Sequence, residues 1–403
     1  MTVDTMRVID YYVGVPLCAL ASLWLRLVNF FSFSRSIEGK PKRVAFLELS
    51  EMGSTILADS ALRWTKEQGA EIYFVIFKRN VGSLKLLGTV PEKNFFLIRE
   101  NNLWIFAWDS LQYLLWCRRT KIDAIVDLEL FSRYTSLLTA FSGARERIGF
   151  HAFHNEGLYR GEVLTRKVAY NPHIHIAKNF MALVKSLFED GTDVPFYKGE
   201  IKDSEIPAAQ SVVTESAKGR VTAALGKYAE RPEQVNWVLL NCAGGEFLPQ
   251  RRWPVPHYAK LAQMILDRHP NTKILLTGSP AERDEVDPIR VRASRDNLIN
   301  FAGDILFEDL TALYTMSKVL ISNDSGPAHF ASTTQIPTYV FFGPETPKLY
   351  GALGENFTPI YAHFACSPCV TAFNHRKTPC EDNRCLQVIT PEQVYEMVRP
   401  CLG

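Results

Sequence analysis

The chain has 403 residues, of which 47% are hydrophobic and 22% are charged, and its formal net charge is +2. A chain of this length accommodates two globular domains with separate cores, and its composition excludes a mainly disordered protein. The nearly balanced charge argues against a nucleic-acid partner, because dedicated nucleic-acid-binding proteins carry a marked basic excess.

The most apolar part of the chain is residues 8–31. Asp10, Pro16 and Arg26 interrupt it, so its clean part is shorter than the roughly 18 apolar residues of a spanning helix. We interpret residues 1–40 as a membrane-associating segment whose helix lies in the membrane interface. Two alternatives remain open: a helix packed on the protein's own core, and a signal peptide. The interpretation depends on interfacial aromatic residues and on a basic flank that indicates a cytosolic location for the rest of the chain (Tyr11, Tyr12 and Trp24; Arg26, Arg35, Lys40, Lys42 and Arg43).

From residue 43 onward, short apolar runs alternate with longer amphipathic runs, which is the pattern of an α/β fold with parallel sheets covered by helices. A polar stretch at 206–235 interrupts the pattern and predicts an interdomain linker. We therefore expect two Rossmann-like domains facing a cleft, at 41–205 and 236–388, and a C-terminal helix within 389–403. The runs that predict strands are 43–49, 72–77, 94–98 and 123–130 in the first domain, and 237–243, 272–278, 298–303, 318–324 and 337–343 in the second.

A long helix is predicted at residues 103–119. Its aromatic residues recur at helical spacing, so we expect them to belong to the core and not to a ligand platform.

Several strand ends in the second domain carry polar or glycine-rich sequence, and in a parallel sheet these ends share one edge, where ligands bind. After the first strand, Gly244 lets backbone approach a ligand closely and Arg251 supplies positive charge. After the fourth, residues 322–331 read SNDSGPAHFA. In that run, Pro327 suits the first turn of a helix and Gly326 permits a close approach.

The backbone N–H groups of Ser325 to Ala328 would then form an anion site suited to a diphosphate. His329 is a candidate donor to phosphate, and Asp324 would orient the loop or hold a ligand hydroxyl or amine. The alternative is a capped helix start in which Asp324 is a structural turn residue and His329 is satisfied within the fold.

Six blocks of sequence together resemble glycosyltransferase family 9, the heptosyltransferase-like enzymes. They are LELSEMGSTILADSALR, RRWP, NDSGPAHFAS, IPTYVFFGPETPKLYG and the C-terminal CSPC with CLQVITPEQV. The resemblance covers residues 42 to the C-terminus and implies the GT-B fold. It also implies inverting, metal-independent transfer from a nucleotide-diphosphate sugar, typically ADP-heptose, to lipopolysaccharide or a similar lipid-linked glycan. With the basic flank of the N-terminal segment, we expect a location at the cytoplasmic face of the inner membrane.

By position, the resemblance implies that Arg251 lies near the donor phosphates and that Glu282 meets the donor ribose. Residues 324–329 fall on the donor loop. No cofactor is implied beyond the sugar nucleotide, which is a substrate.

One position departs from the family pattern. The first strand of the family is commonly followed by Gly-Asp, with that Asp as general base, whereas this chain has Gly53 and Ser54. A serine hydroxyl is too weak a base to replace it unaided. Glu51 is the first candidate for the base, Asp59 the second and Glu48 the third. If none reaches the site, the chain is instead a non-catalytic sugar-nucleotide-binding or scaffold protein of envelope polysaccharide assembly.

Two further groups of residues are candidates for function. Cys366, Cys369, Cys380 and Cys385 could supply four zinc ligands, but the second pair is spaced more widely than in common zinc ribbons. We expect four buried thiols bracing a loop, with a metal as the alternative. The segment 145–157 carries Arg145, Arg147, His151 and His154, which would suit an anionic acceptor or are scattered surface charges.

Overall fold

The computed structural model describes residues 3–31, 39–130, 132–153, 159–189, 191, 194–243, 248–371 and 376–403. The chain divides into two compact units, Met1–Pro207 and Ala208–Gly403. Each unit contains one six-stranded sheet in which every described strand pair is parallel.

In the first unit the strand order is β3-β2-β1-β4-β5-β6. The strands are β1 (Arg43–Leu47), β2 (Glu71–Phe77), β3 (Phe95–Ile98), β4 (Ala124–Asp127), β5 (Glu146–His151) and β6 (Arg166–Ala169). The helices are α1 (Val3–Tyr12), α2 (Gly14–Phe31), α3 (Met52–Leu57), α4 (Asp59–Glu67), α5 (Val81–Leu87), α6 (Leu103–Thr120), α7 (Arg133–Phe141) and α8 (Ile176–Phe188).

In the second unit the strand order is β12-β11-β10-β7-β8-β9. Its strands are β7 (Asn236–Asn241), β8 (Thr272–Thr277), β9 (Leu298–Asn300), β10 (Val319–Asn323), β11 (Thr338–Phe342) and β12 (Phe357–Tyr361). Its helices are α9 (Glu215–Leu225), α10 (Val255–Arg268), α11 (Arg283–Ala293), α12 (Leu310–Thr315), α13 (Gly326–Ala331), α14 (Pro347–Tyr350), α15 (Arg384–Gln387) and α16 (Pro391–Val398).

Both sheets follow the Rossmann order when each is numbered from its own first strand. The order reverses between β1 and β4 in the first unit and between β7 and β10 in the second. Ligands of such sheets bind beyond the carboxyl ends of the strands at this point of reversal. The fold thus marks one candidate site in each unit.

Every strand that the sequence predicts is present, which confirms the α/β fold. The strands β5, β6 and β12 were not predicted. Of these, β6 and β12 are edge strands, which bury less apolar surface and carry a weaker hydrophobic signal. The stretch 206–235, predicted as a linker, contains α9, and its residues from 208 onward belong to the second unit. In the C-terminal segment, Val394, Tyr395 and Val398 of α16 are buried in the core of that unit.

The N-terminal apolar stretch forms two helices, α1 and α2, and not one. The segment Val8–Val28 is long and apolar enough to cross a membrane, and 22% of it is buried; one such helix near an N-terminus is weak evidence for a membrane span. One side of the segment packs on α7, because the Asp10 carboxylate accepts hydrogen bonds from the backbone N–H groups of Arg133 and Tyr134 at 2.9 Å. The other side exposes apolar side chains such as Tyr12 and Leu20.

The prediction that the aromatic residues of α6 are core residues is wrong in part. Tyr113 is buried, and Phe106 and Trp116 pack on the core of the first unit. Trp104 and Trp108, by contrast, are 85% and 57% exposed. Aromatic spacing alone does not show which side of a helix faces the sheet.

Candidate active site

In the first unit, the loop after β1 carries Glu48 and Glu51, and Asp59 begins α4 shortly after it. These are the three carboxylates that the sequence predicts as candidates for the base. Glu129, which follows β4, holds this loop across the point of reversal. Its Oε1 accepts hydrogen bonds from the backbone N–H groups of Leu49 and Ser50 at 3.1 Å and from Ser50 Oγ at 2.8 Å. From within the loop, Glu48 Oε1 accepts from the Glu51 N–H at 3.2 Å. The backbone that presents Glu51 is therefore fixed from two sides.

Glu51 differs from the other two candidates for the base in its exposure. Its side chain is partly exposed, and Ser54 Oγ donates a hydrogen bond to its Oε2 at 3.0 Å. Asp59 is 2% exposed, and its two oxygens accept from Arg63 Nε at 2.7 Å and Thr89 Oγ1 at 2.5 Å. Glu48 is 4% exposed. Ser54 thus orients the Glu51 carboxylate, whereas Asp59 is engaged in holding α4.

Several carboxyl groups, most of them buried, lie close together at this loop, and their pKa values are perturbed. Burial raises the pKa of Glu48 well above its usual range, and the carboxylates of Glu129, Glu51 and Asp127 raise it further. Burial also raises the pKa of Asp127 to about 6, although the neighbouring Arg160 guanidinium lowers it. Arg160 forms a buried ion pair with Asp127 and donates to the carbonyl of Glu129 at 2.6 Å. Perturbed carboxyl groups at a sheet edge are typical of functional sites.

In the second unit, Asn323 at the end of β10 joins three segments of the site. Its Oδ1 accepts from the Trp253 N–H and from the Tyr258 hydroxyl, both at 3.0 Å, and its Nδ2 donates to the carbonyl of Cys242 at 2.7 Å. Asn323 is completely buried. It therefore fixes the end of β7 and the chain after Arg251 relative to Asp324.

Arg251 lies beside Asp324, as the sequence predicts for two residues of one binding edge. Arg251 Nε is 3.4 Å from Asp324 Oδ2, and its Nη2 is 3.3 Å from Glu345 Oε1. Arg376 Nε approaches the same Glu345 oxygen at 3.5 Å, and its guanidinium lies 4.7 Å from the centre of the Tyr350 ring. Glu345 is 1% exposed. Two arginines thus share one buried carboxylate at this edge.

Sequence reasoning missed Glu345 and Arg376. Glu345 directly follows the Gly343–Pro344 turn after β11, at the carboxyl edge of the same parallel sheet, so an acidic residue there was the available signal. Arg376 lies on the loop that contains the cysteines, far along the chain, and its position relative to Glu345 follows only from the fold.

The helix predicted after β10 is present as α13, and Ser325 precedes it in an extended conformation with no side-chain cap hydrogen bond. Ser325, Gly326 and Pro327 are partly exposed, while Asp324 and His329 are buried. Glu282 lies after β8, where its Oε2 accepts from the Ser279 N–H at 2.6 Å. That hydrogen bond caps the local turn. The predicted contact of Glu282 with the donor ribose would therefore use its other carboxylate oxygen, Oε1. Gly244 lies outside the described residues.

The basic segment of the first unit is largely structural where it is described. Residues 146–151 form β5, and Arg147 donates to the carbonyls of Val163 at 2.6 Å and Ala144 at 3.0 Å. His151 Nε2 is 3.7 Å from Glu162 Oε1. His154 lies outside the described residues. Arg147 therefore braces the sheet.

The four clustered cysteines differ in exposure. Cys385 is buried, Cys369 and Cys380 are partly buried, and Cys366 is exposed, so the expectation of four buried thiols is wrong. Burial raises the pKa of Cys385 to about 11, with smaller contributions from the Cys369, Cys366 and Cys380 thiols. Among the described residues, no group of three or more His, Cys, Asp or Glu side chains is arranged to hold a metal ion.

The structure thus consists of two Rossmann-type units, one with carboxylates and one with two arginines at the carboxyl edge of its sheet. Residues 118–378, more than half of the chain, match the family model "Glycosyltransferase family 9 (heptosyltransferase)". The chain belongs to glycosyltransferase family 9.

Two curated heptosyltransferases match the chain over part of their length. Lipopolysaccharide heptosyltransferase 2 of Escherichia coli (strain K12) is 25% identical over 66% of this chain and 72% of the relative. Lipooligosaccharide heptosyltransferase 2 of Haemophilus influenzae is 29% identical over 45% of this chain and 49% of the relative. In that second match, the chain spans about half the length of its relative.

Solved structures share the fold over nearly the whole chain. The family 9 glycosyltransferase of Veillonella parvula aligns with a TM-score of 0.72 at 17% identity and covers 91% of this chain and 99% of its own. The ADP-heptose lipopolysaccharide heptosyltransferase II of E. coli aligns with a TM-score of 0.67 at 19% identity and covers 90% and 98%. A third, the E. coli heptosyltransferase WaaC with ADP, aligns with a TM-score of 0.59 at 14% identity and covers 89% and 99%.

Proposed function

We propose that this protein transfers a heptose-like sugar from ADP-heptose, with inversion, to lipopolysaccharide or another lipid-linked glycan. The observation that carries the proposal is the set of charged residues at the carboxyl edges of the two sheets: Arg251, Asp324 and Glu345 in the second unit, and the Glu51 loop in the first. The activity of the family and the names of its relatives support the choice of donor and acceptor.

We assign the donor diphosphate to the edge of the second unit. Guanidinium groups bind phosphate oxygens in a bidentate manner, and Arg251 is held in place by Asp324 and the buried Glu345. The partly exposed backbone at Ser325 and Gly326 adds N–H donors. When the bond between the sugar and the diphosphate breaks, the negative charge on the leaving nucleoside diphosphate increases. A positioned arginine stabilises that charge more in the transition state than in the ground state.

We assign the general base to Glu51. Its carboxylate takes the proton of the acceptor hydroxyl as that oxygen attacks the anomeric carbon from the side opposite the diphosphate, which inverts the configuration. One new carbon–oxygen bond forms as the bond to the phosphate oxygen breaks, and the proton stays on Glu51. Ser54 then supports the base by orienting Glu51 Oε2, in the position where the family commonly has an aspartate.

The acceptor is lipid-linked, and we place the protein at the cytoplasmic face of the inner membrane through α1 and α2. The exposed apolar side chains of these helices and the basic Arg26 support that location. A soluble sugar nucleotide would reach the second unit from the cytosol.

The test measures donor binding and transfer separately. Calorimetric titration with ADP, UDP, GDP and CMP should show selective binding of ADP that Asp324→Ala weakens by about tenfold or more, because Asp324 holds Arg251. Glu51→Gln should bind ADP like the wild type but lower the rate of transfer by about 10²-fold or more. The exposed Glu233→Gln is the matched control, with both properties unchanged.

Two results would contradict the proposal. Full transfer activity in Glu51→Gln would remove Glu51 from the mechanism. Donor binding without transfer in the wild-type protein, with every lipid-linked acceptor offered, would support the non-catalytic scaffold alternative instead.

A further inference from the structure

Helix α6 carries an exposed apolar stripe that the proposed chemistry does not use. Trp104, Trp108, Leu111 and Leu115 are 85%, 57%, 49% and 37% exposed, and their spacing of four, three and four residues places them on one side of the helix. The opposite side buries Tyr113 and Cys117 against β1 and β2. Large apolar stripes of this kind on soluble proteins mark interaction surfaces.

The layer that contains α6 also contains the apolar N-terminal helices. Helix α7 packs beside α6 on the same face of the sheet, where Leu138 belongs to the same core cluster as Tyr113. The two helices are joined by a hydrogen bond of 2.7 Å between Ser110 Oγ and the Tyr134 hydroxyl. On its other side, α7 packs against α2, where Ala140 contacts the cluster of Ala21.

Helix α2 also carries an exposed apolar stripe, which faces away from the protein. Leu20, Trp24 and Leu27 are 62%, 56% and 48% exposed, while Cys18 and Ala21 are buried. Phe141 lies at the end of α7 between the two stripes and is 38% exposed; its carbonyl accepts from Arg118 of α6 at 3.1 Å. The two stripes thus lie on the outer surface of one layer of three helices.

The chemistry of this surface fits an anionic lipid bilayer better than it fits a protein partner. Tryptophan and tyrosine are the residues enriched where membranes meet water. The charges agree: Arg26 is the single charged residue in the sequence of α2, and the one acidic residue of α6, Asp109, is buried and paired with Arg99 at 2.7 Å. Arg118 and Arg119 are exposed at the end of α6, where they would meet anionic headgroups.

We propose that α6 is a second membrane-binding element, which inserts Trp104 and Trp108 into the interface of the same bilayer that α1 and α2 contact. Two separated contacts fix the orientation of the first unit, whereas one helix would leave it free to turn. Helix α6 begins directly after β3, so Leu103 and Trp104 lie at the carboxyl edge of the sheet, the edge that carries the Glu51 loop. This orientation, which rests on the proposed function, would bring a lipid-linked acceptor to Glu51 without leaving the membrane.

The test is cosedimentation of the full-length protein with vesicles of phosphatidylethanolamine and phosphatidylglycerol, with no donor or acceptor present. Trp104→Ser/Trp108→Ser should lower the partition coefficient by about tenfold. The control Val212→Ser/Val291→Ser, which changes valines that are 87% and 65% exposed in the second unit, should bind like the wild type. Because vesicle binding needs neither ADP-heptose nor transfer, the result is independent of the proposed reaction.

A second double variant distinguishes a loss of membrane binding from a simple folding defect. Trp104→Phe/Trp108→Phe should retain vesicle binding but lose a large part of the quenching of tryptophan fluorescence by brominated lipids. Unchanged quenching in this variant, or unchanged binding in the serine variant, overturns the proposal. So does a wild-type dimer in sedimentation velocity without lipid that the serine variant converts to monomer, since the stripe would then be an interface between two copies.

Discussion

At the scale of single residues, the first unit places a buried acid directly beneath its candidate base. Glu48 accepts the N–H of Glu51 and is surrounded by Glu51, Asp127 and Glu129. Its raised pKa means that the folded protein keeps a proton on Glu48 at pH values where the unfolded chain has released it. This residue therefore supports the loop at a cost in stability, as is common at functional sites.

The variant Glu48→Gln should increase the free energy of unfolding above pH 7, because glutamine keeps an acceptor for the Glu51 N–H without a carboxylate to ionise. Folding of the wild type takes up a proton between the ordinary pKa of about 4.5 and the raised one, so its stability falls as the pH rises through that window. The advantage of the variant should thus grow as the pH rises from the ordinary pKa of about 4.5 toward the raised pKa of Glu48. Urea unfolding across this range measures it, and a gain that is equal at all pH values would show that Glu48 does not titrate.

The sequence could propose Asp324 as a candidate because it follows a strand with a clear apolar pattern, and Glu51 because the family resemblance points to the loop after the first strand. It could not identify Glu129, whose hydrogen-bond partners lie about 80 residues earlier in the chain. It ranked Glu51 before Asp59 from position alone, and the structure adds the engagement of Asp59 with Arg63 and Thr89. Residue type and local position predict candidates, whereas the contacts of each side chain follow only from the fold.

At the scale of elements, apolar runs predicted most of the strands. They missed β5, which begins with Glu146 and Arg147, β6, whose four residues begin with Arg166 and Lys167, and β12, which contains Pro359 at a sheet edge. Periodicity also predicted the length of α6 but not its outer face, because a stripe of tryptophan and leucine has the same spacing whether it faces a core or a membrane. The carboxyl edge of the second sheet was predictable in outline, since parallel strands bring their ends together.

The connection between β7, β10 and the start of α10 should depend on Asn323. Asn323→Ala leaves the Trp253 N–H, the Tyr258 hydroxyl and the Cys242 carbonyl without their partner in a buried site, which costs about 2–4 kcal/mol. We expect thermal unfolding at a temperature several degrees lower, together with weaker ADP binding, because Arg251 directly precedes this connection. Asn271→Ala is the control: its exposed side chain donates to the Gln234 carbonyl at 2.9 Å, and little change is expected. Equal effects of the two variants would contradict the role of Asn323.

At the scale of the whole molecule, two units with the same strand order carry different charged side chains at their binding edges. Repetition of the Rossmann order accounts for the similar location of both sites, and the residues after the strands account for their different chemistry. Carboxylates follow β1 and β4, which suits proton removal from an acceptor, whereas Arg251 and Arg376 surround Glu345 in the second unit, which suits an anionic leaving group.

This division of roles predicts where ADP protects the full-length chain from hydrogen exchange. Protection should appear at residues 248–254 and 322–329, because a bound diphosphate would order the backbone around Arg251 and Ser325. The loop 48–54 should be protected much less by ADP alone, since it is held by hydrogen bonds to Glu129 and Glu48 of the first unit, whereas we assign the nucleotide to the second unit. Arg251→Ala should abolish the protection, while Arg290→Ala, which removes an exposed pair with Asp287 at 2.8 Å, should preserve it. Protection of 48–54 without any at 322–329 would reverse the assignment of donor and acceptor, because the nucleotide would then bind at the carboxylate edge of the first unit.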